Sequence, residues 1–428
     1  MATARLLTRR SLFASRLLAL PSNHVLRRPV FSALPPPALP HRKPRDTGRS
    51  PRMFPKSGFE VIKPDVPFEE ETLPAYESTL YYPMRIGDVV GGHYQVVAKL
   101  GFGSRSTVWL ASDLSEKCTY RALKVHTRNA FYDNEMRIYD HLRRPIPQEV
   151  EDKDIHPGRK FVRHLEDSFT LEGPHGQHAV FVMAPLGVSM DVFLTAHKPG
   201  SLTIPDINEA LLFVVVSLDL LHSADVVHTN IRPDNLFTSL VDDSVLTKVE
   251  EAEATTPSPR KEVGDRARIG HLHTGQAMPL LYRAPEVILK MPWGKPIDIW
   301  SLGMLSLQAW TLLEPKSLFD IPHASLSESE LDAQHLAAMT ALLGPPPKQF
   351  RDRSEESAKY WNEQGVWHGP APLPQNLQLA DLVTAVDGVQ KAFFVNFLQC
   401  VLTWLPEERL TVNKTFLHPW LHSNDEVD

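Results

Sequence analysis

The chain has 428 residues, with 45 Lys and Arg against 51 Asp and Glu, 42% hydrophobic residues and 22% charged residues. These proportions belong to a folded protein rather than a disordered one, and only two cysteines, Cys118 and Cys400, exclude a disulfide framework or a four-cysteine zinc site. The net charge of −6 averages two unlike parts: residues 1–58 hold twelve cations and one acid, Asp46, and the remainder stands at −17, which argues against direct nucleic-acid binding and suits basic partners.

Residues 1–45 contain no acid and are rich in Arg, Leu, Ser and Ala. That is the composition of a mitochondrial transit peptide. Arg5, Arg9 and Arg16 share one side of a helical wheel, Arg10 and Arg16 interrupt the apolar run a secretory signal needs, and Pro35–Pro37 end any helix. The other reading of residues 1–58 is a basic tail without an address. Residues 59–85 are acidic and proline-containing, and are expected to lead in along the surface.

From Ile86 the pattern changes. Tyr94–Leu100 and Thr107–Ala111 are β-type runs around a glycine turn, Arg121–Val125 is a third, and Ala179–Met183 another. A helix is expected over 131–142. After Gly187 the chain reads as mainly helical, over 206–223, 297–313, 328–343 and 388–403. The longest apolar stretch, Ala210–Leu218, falls short of the roughly 18 residues a membrane span requires and reads as a buried helix. Thr255–Gly275 is polar and rich in Pro, Arg and Gly, and is expected to be a loop. A small β-rich lobe followed by a larger helical one is an α+β arrangement with a cleft between.

Four motifs carry chemistry. Leu100-Gly101-Phe102-Gly103-Ser104-Arg105-Ser106-Thr107-Val108-Trp109 places a G-x-G between two strands, where small residues let backbone N–H groups approach phosphates; an ordinary hairpin turn has the same pattern. Lys124, flanked by apolar residues, is followed by Glu135 on the next helix, and an ion pair between them would aim the amine at phosphates. Val227-His228-Thr229-Asn230-Ile231-Arg232-Pro233-Asp234-Asn235 follows a buried helix and matches an H-x-D-[LI]-K-x-x-N loop except at two positions. Finally come Ala284-Pro285-Glu286 and Asp298 at a helix start, with Arg409 far downstream.

Together these motifs make residues 86–423 resemble the eukaryotic protein kinases, and more closely the SR-protein kinase (SRPK) family. Tyr82–Asp88, the Ser in place of the third glycine, His228-Thr229, His335-Leu336-Ala337 and Leu342–Pro346 are similar to that family's segments. The resemblance implies a bilobal fold, with an N-lobe over about 86–186 and a C-lobe over about 187–423. It implies ATP between the lobes, covered by Gly101 and Gly103 and lined by Leu100 and Val108, with Met183 as gatekeeper and Ala184–Leu186 as hinge. Lys124 would contact phosphates, Glu135 would hold Lys124, Asn235 would ligate Mg²⁺, Asp298 would brace the catalytic loop, and Arg409 would pair with Glu286. Family substrates are Arg-Ser-rich proteins phosphorylated on Ser or Thr. The family works in cytoplasm and nucleus, whereas the leader points to mitochondria.

Two departures bear on catalysis. Asn230 stands where the family has an Asp that accepts the substrate hydroxyl proton, and Arg232 replaces Lys. Losing a general base costs roughly 10²–10⁴-fold in rate. Those substitutions in the loop are the first departure; the second is that no D-F-G occurs between Asn235 and Tyr282. The nearest acids are Glu262, in Glu262-Val263-Gly264, and Asp265. Three functions follow: an SRPK-like Ser/Thr kinase, active or feebly active; a pseudokinase that acts by binding; or a small-molecule phosphotransferase. The third lacks support, because Ala284-Pro285-Glu286, Asp298 and Arg409 belong to protein kinases. A written sequence that omits the D-F-G segment would also explain the second departure.

Overall fold

Alternating burial organises the first half of the domain. The computed structural model describes residues 50–74, 76–116, 119–128, 132–196, 202–240, 242–263, 266–269, 282–310, 326–374 and 378–423, with the backbone of 17–18 and 25–26. In chain order the strands are β1 (Leu17–Leu18), β2 (Val25–Leu26), β3 (Val61–Ile62), β4 (Val89–Val90), β5 (Tyr94–Gly103), β6 (Ser106–Asp113), β7 (Thr119–His126), β8 (Leu165–Gly173), β9 (Gly176–Met183), β10 (Val226–Val227), β11 (Leu236–Phe237), β12 (Arg260–Val263) and β13 (Arg266–Ile269). Six of them form one antiparallel sheet in the order β4-β5-β6-β7-β9-β8.

Side chains alternate across a strand, so each strand serves two faces. One face carries Trp109, Leu123, Val125, Val180 and Val182, which pack with Met84, Tyr94 and Phe169. The other carries Val108, Ala122 and Lys124. The helix Tyr132–Arg143 follows β7 and buries Glu135, Ile138, Tyr139 and Leu142. Its His141 side chain bonds the Ala224 carbonyl at 2.7 Å, which ties this helix to the helical lobe.

The helical lobe is built on Ile204–Ser223. Thr203 caps it reciprocally with Asp206, and Pro205 fits the first turn, where its missing N–H costs nothing. Ile207, Leu211, Val214, Leu218 and Leu221 recur at three- and four-residue intervals and are buried. Pro296–Trp310 packs against this helix, Gly388–Val401 packs against Pro296–Trp310, and these and Glu328–Leu343 share one core that is continuous with Phe181 and Met183 of the sheet. No helix among the described residues is long and apolar enough to cross a membrane. The expected helices at 131–142, 206–223, 328–343 and 388–403 are present within a few residues. Pro296–Trp310 realises the one expected at 297–313, whose last residues lie outside the described set.

Two segments differ from the sequence reading. The 255–275 stretch is not simply a loop: Arg260–Val263 and Arg266–Ile269 form a hairpin, and β12 also pairs in parallel with β3 of the lead-in. Ahead of it a helix, Ser244–Thr255, runs along β5 with Leu246, Glu250 and Glu253 buried. Leu246 joins Phe54, Val97, Leu110 and Tyr120 in a small apolar cluster. Tyr120 donates to Glu250 at 2.5 Å, and Ser258 and Arg260 donate to Glu253. The chain therefore leaves the catalytic loop for the β-lobe rather than running directly toward Tyr282.

Most of the lead-in stays exposed or half-buried, but part of it turns acids inward. Glu69 and Glu70 are buried, and both accept from Lys99 of β5. Glu71 takes Lys261 of β12 at 2.5 Å. Packing begins as early as Arg52, whose backbone exchanges two hydrogen bonds with the Gln95 side chain.

A buried ion pair locks the helical lobe. Arg409 Nη1 and Nη2 meet Glu286 Oε1 and Oε2 at 2.6 and 2.8 Å, and the guanidinium also donates to the Pro296 and Thr403 carbonyls. Both side chains are essentially inaccessible. Arg409→Ala leaves a buried carboxylate unpaired and is expected to cost about 3–5 kcal/mol. Urea unfolding should show this as a lower midpoint at an unchanged m-value.

Candidate active site

Antiparallel register assembles the first half of the site. Val108 of β6 lies directly opposite Lys124 of β7, and Ala122 lies opposite Met183 of β9. Directly opposed residues present side chains to the same face, so Val108, Ala122 and Lys124 share one surface. Lys124 Nζ donates to Glu135 Oε1 at 2.7 Å and to Oε2 at 2.8 Å. Glu135 is buried while the amine keeps some exposure, so the carboxylate fixes a cation that still faces outward. Two residues along the strand, His126 is buried; burial first and the Lys124 charge second push it down to about 2. It stays neutral, and Lys124 remains the positive charge of this strand end.

The glycine turn lies above this surface. Gly101 opposes Val108 just after a bulge in β5, and Gly103 opposes Ser106. A Cβ built on Gly101 would meet no heavy atom of the described residues within 4 Å. Internal packing therefore does not demand glycine at 101; the free backbone edge is what a close-lying phosphate would use. Leu100 is 39% exposed and Val108 is half-buried, an apolar strip of the kind a base covers. Met183 is fully buried, takes the Tyr139 hydroxyl at its sulfur, and ends β9; Leu186 follows, half-buried, in a segment tied to β11 by Gly187 N–H to the Thr238 carbonyl at 2.9 Å.

The catalytic loop hangs on Asp298. Its Oδ2 accepts from the His228 amide at 2.8 Å and contacts His222 Nε2 at 2.9 Å, and its Oδ1 accepts from the Thr229 amide at 2.8 Å. Thr229 has φ of 67°, a left-handed conformation that a β-branched residue resists. The carboxylate holds it there. Burial alone would raise the Asp298 carboxyl, but the hydrogen bond and charge of His222 and those of His228 outweigh it and hold the group below its ordinary 3.8. Beyond this anchor, Asn235 Nδ2 donates to the Asn230 carbonyl at 2.9 Å and closes the loop on itself.

Arg232 meets Asp234 at 2.6 Å. Among the described residues its buried Nε and Nη1 find no acceptor, and neither does the Tyr282 hydroxyl. A guanidinium with two uncommitted donors beside Asn230 suits an anionic ligand. Burial raises Asp234 although Arg232 opposes it. The sequence reading did not single out Asp234; its place two residues from Arg232 was the available signal.

Of the two proposed metal acids, the structure describes only the backbone of Glu262. Glu262 lies on β12, whose sheet partners are β13 and β3. Asp265 lies outside the described residues. No cluster of three or more His, Cys, Asp or Glu side chains able to hold a metal ion occurs among the described residues.

Sheet lobe, helical lobe, Lys–Glu pair and Asp298-braced loop define the protein kinase fold. The protein kinase domain family matches residues 94–421, and the chain belongs to this family. It is 35% identical over 406 residues to a serine/threonine protein kinase of Aspergillus fumigatus, covering 88% of this chain and 96% of the relative. It is 27% identical over 400 residues to the serine/threonine-protein kinase SRPK of Physarum polycephalum, covering 82% and 91%. It is 30% identical over 217 residues to human SRSF protein kinase 3, covering 49% and 37%. The chain is thus SRPK-like within the Ser/Thr protein kinases.

Because the folded value of Asp298 lies below the unfolded one, its stabilisation is complete above pH 3.8 and is lost as pH falls through the depressed value. Asp298→Asn is expected to cost about 3 kcal/mol. In denaturant titrations the deficit should stay constant from neutral pH to about 5 and shrink once the medium is more acidic than the ordinary carboxyl value.

Proposed function

We propose that this chain binds ATP between its lobes and engages Arg-Ser-rich protein segments, with phosphoryl transfer to Ser or Thr much slower than in an intact kinase. The observation that carries this reading is the coexistence of a formed Lys124–Glu135 pair with a neutral amide at Asn230. The first is the nucleotide-binding half of the chemistry; the second removes the proton acceptor.

The residues fit the nucleotide. Open space at Gly101, the apolar strip of Leu100 and Val108, the outward-facing Lys124 and the uncommitted donors of Arg232 supply a backbone edge, a base surface and two cations. Met183 and Leu186 border the strip where the lobes join. Asn230 can orient a substrate hydroxyl through its amide but cannot take its proton. Arg232 brings a planar cation where the family uses a point charge.

The residues do not fit a tightly held Mg²⁺. That ion takes oxygen ligands including one or two carboxylates, and among the described residues the loop's own carboxylate, Asp234, is engaged by Arg232, which leaves the side-chain amide oxygens of Asn230 and Asn235. No catalytic step is routed through the metal here.

Substrate class rests on the resemblance and on charge. A body at −17 attracts basic segments and speeds their encounter, an effect that weakens as salt rises. The acid-free leader supports a mitochondrial address, with the family's cytoplasm and nucleus as the other location. A full-length tagged chain that stays diffuse in the cytosol would reject the mitochondrial one.

The deciding experiment follows γ-phosphate transfer from ATP to an Arg-Ser peptide by the full chain and by Asn230→Asp. The expected result is trace transfer by the unmodified chain. Asn230→Asp restores the base but not the metal acid, so it should increase transfer without reaching typical kinase rates of about 1–100 s⁻¹. Robust transfer by the unmodified chain overturns the proposal. Sequencing the transcript across residues 255–282 separates a protein that lacks the metal acid from a written sequence that omits it.

A further inference from the structure

The catalytic loop is bracketed by two very short strands. β10 ends at Val227, one residue before His228, and β11 begins at Leu236, one residue after Asn235. Strands of two residues cannot hold themselves; each needs a neighbour to satisfy its exposed N–H and C=O groups. Both neighbours come from the leader. Leu17 and Leu18 pair antiparallel with Phe237 and Leu236, and Val25 and Leu26 pair antiparallel with Val227 and Val226. Among the described residues these are the strand partners of β10 and β11, besides an isolated bridge between Ser189 and Phe237. β1 also runs beside the turn Pro157–Phe161.

We infer that Leu17–Leu18 and Val25–Leu26 of the leader pair in cis with the two strands that flank the catalytic loop and so hold both of its ends. Three observations support this. The two contacts are independent in register yet adjacent in the leader, six residues apart, and they grip the two ends of one loop. The edges they cover, Val226, Val227 and Leu236, are buried, so leaving their backbone groups unpaired would be costly. The leader through Leu26 contains no Asp or Glu. A segment that secures the loop from both sides thus brings no carboxylate to it, and the paired form gains a fixed loop without a metal acid.

The recognition is β-augmentation, in which main-chain hydrogen bonds give the affinity. It gives the leader a second role besides address, and the two compete: a leader engaged by an import receptor or removed by processing releases both edges. Its meaning for activity rests on the proposed nucleotide reading of the 228–235 loop. The pairing itself does not, and it is tested without nucleotide.

The test is amide hydrogen exchange on the full-length chain. Two variants are compared with the unmodified protein: one with Leu17, Leu18, Val25 and Leu26 all replaced by Pro, which cannot donate to a ladder, and one with residues 17–26 replaced by Gly and Ser. Peptides covering 226–227 and 236–237 are expected to exchange about tenfold or more faster in both variants, whereas 121–125 in the central sheet keeps its protection. A synthetic peptide of residues 14–28 added to the Gly/Ser variant should restore protection at both strands. Unchanged exchange at 226–227 and 236–237 in the Gly/Ser variant overturns the inference, as does failure of the peptide to restore protection at saturating concentration. A protein that passes this test and fails to bind ATP would contradict the nucleotide reading alone.

Discussion

One buried carboxylate sets the geometry on which the site depends. Asp298 starts a helix of the large lobe, yet its two oxygens are spent on the amides of His228 and Thr229 and on the His222 ring. An isolated loop would not keep Thr229 in a left-handed conformation, because the β-branched side chain crowds the backbone there. With two amides pinned, the following residues have little choice. Asn230 projects from a fixed point, and Asn235 closes the loop by donating to its carbonyl. The loop retains its shape although its central acid has become an amide. Shape and chemistry are separately encoded: the brace, Asp298, lies 68 residues downstream of position 230, which would do the proton transfer.

The two lobes differ in how much of their inherited chemistry survives. In the sheet lobe the cation, its buried carboxylate and the open glycine backbone are all in place. In the helical lobe the structural pair Glu286–Arg409 is intact, but the reacting positions are altered. Binding energy and catalytic power draw on different interactions, so a chain can keep the first while losing the second. The acidic body fits that division, since attraction of a basic partner needs charge alone.

Most of the fold was legible because the elements that carry it have strong signals. The apolar stretch Ala210–Leu218 marked the buried helix, and the β-type runs Tyr94–Leu100, Thr107–Ala111 and Arg121–Val125 around a glycine turn marked the sheet. The motif residues also fixed which side chains meet: Lys124 with Glu135, Asp298 with the 228–229 backbone, Glu286 with Arg409. The helix Ser244–Thr255 was not legible for a physical reason. Its buried face is Leu246, Glu250 and Glu253, so an acidic stripe replaces the apolar one that periodicity detects. Those acids are buried because Tyr120, Ser258 and Arg260 satisfy them, and such partners are visible only in three dimensions. The lead-in was expected along the surface from its acidity, yet its Glu69, Glu70 and Glu71 pair with Lys99 and Lys261, partners the sequence does not display. A hairpin where a loop was expected follows from β3, a strand two residues long that gains meaning only beside β12.

The central claim is that the nucleotide cradle outlives the catalytic base. Isothermal titration of ATP into the full-length chain, beside Lys124→Met, tests it most directly. Saturable binding to the unmodified chain that is lost or weakened at least tenfold in Lys124→Met is the predicted result, in line with removal of a charge-assisted contact. No binding to the unmodified chain, or equal binding to both, contradicts it.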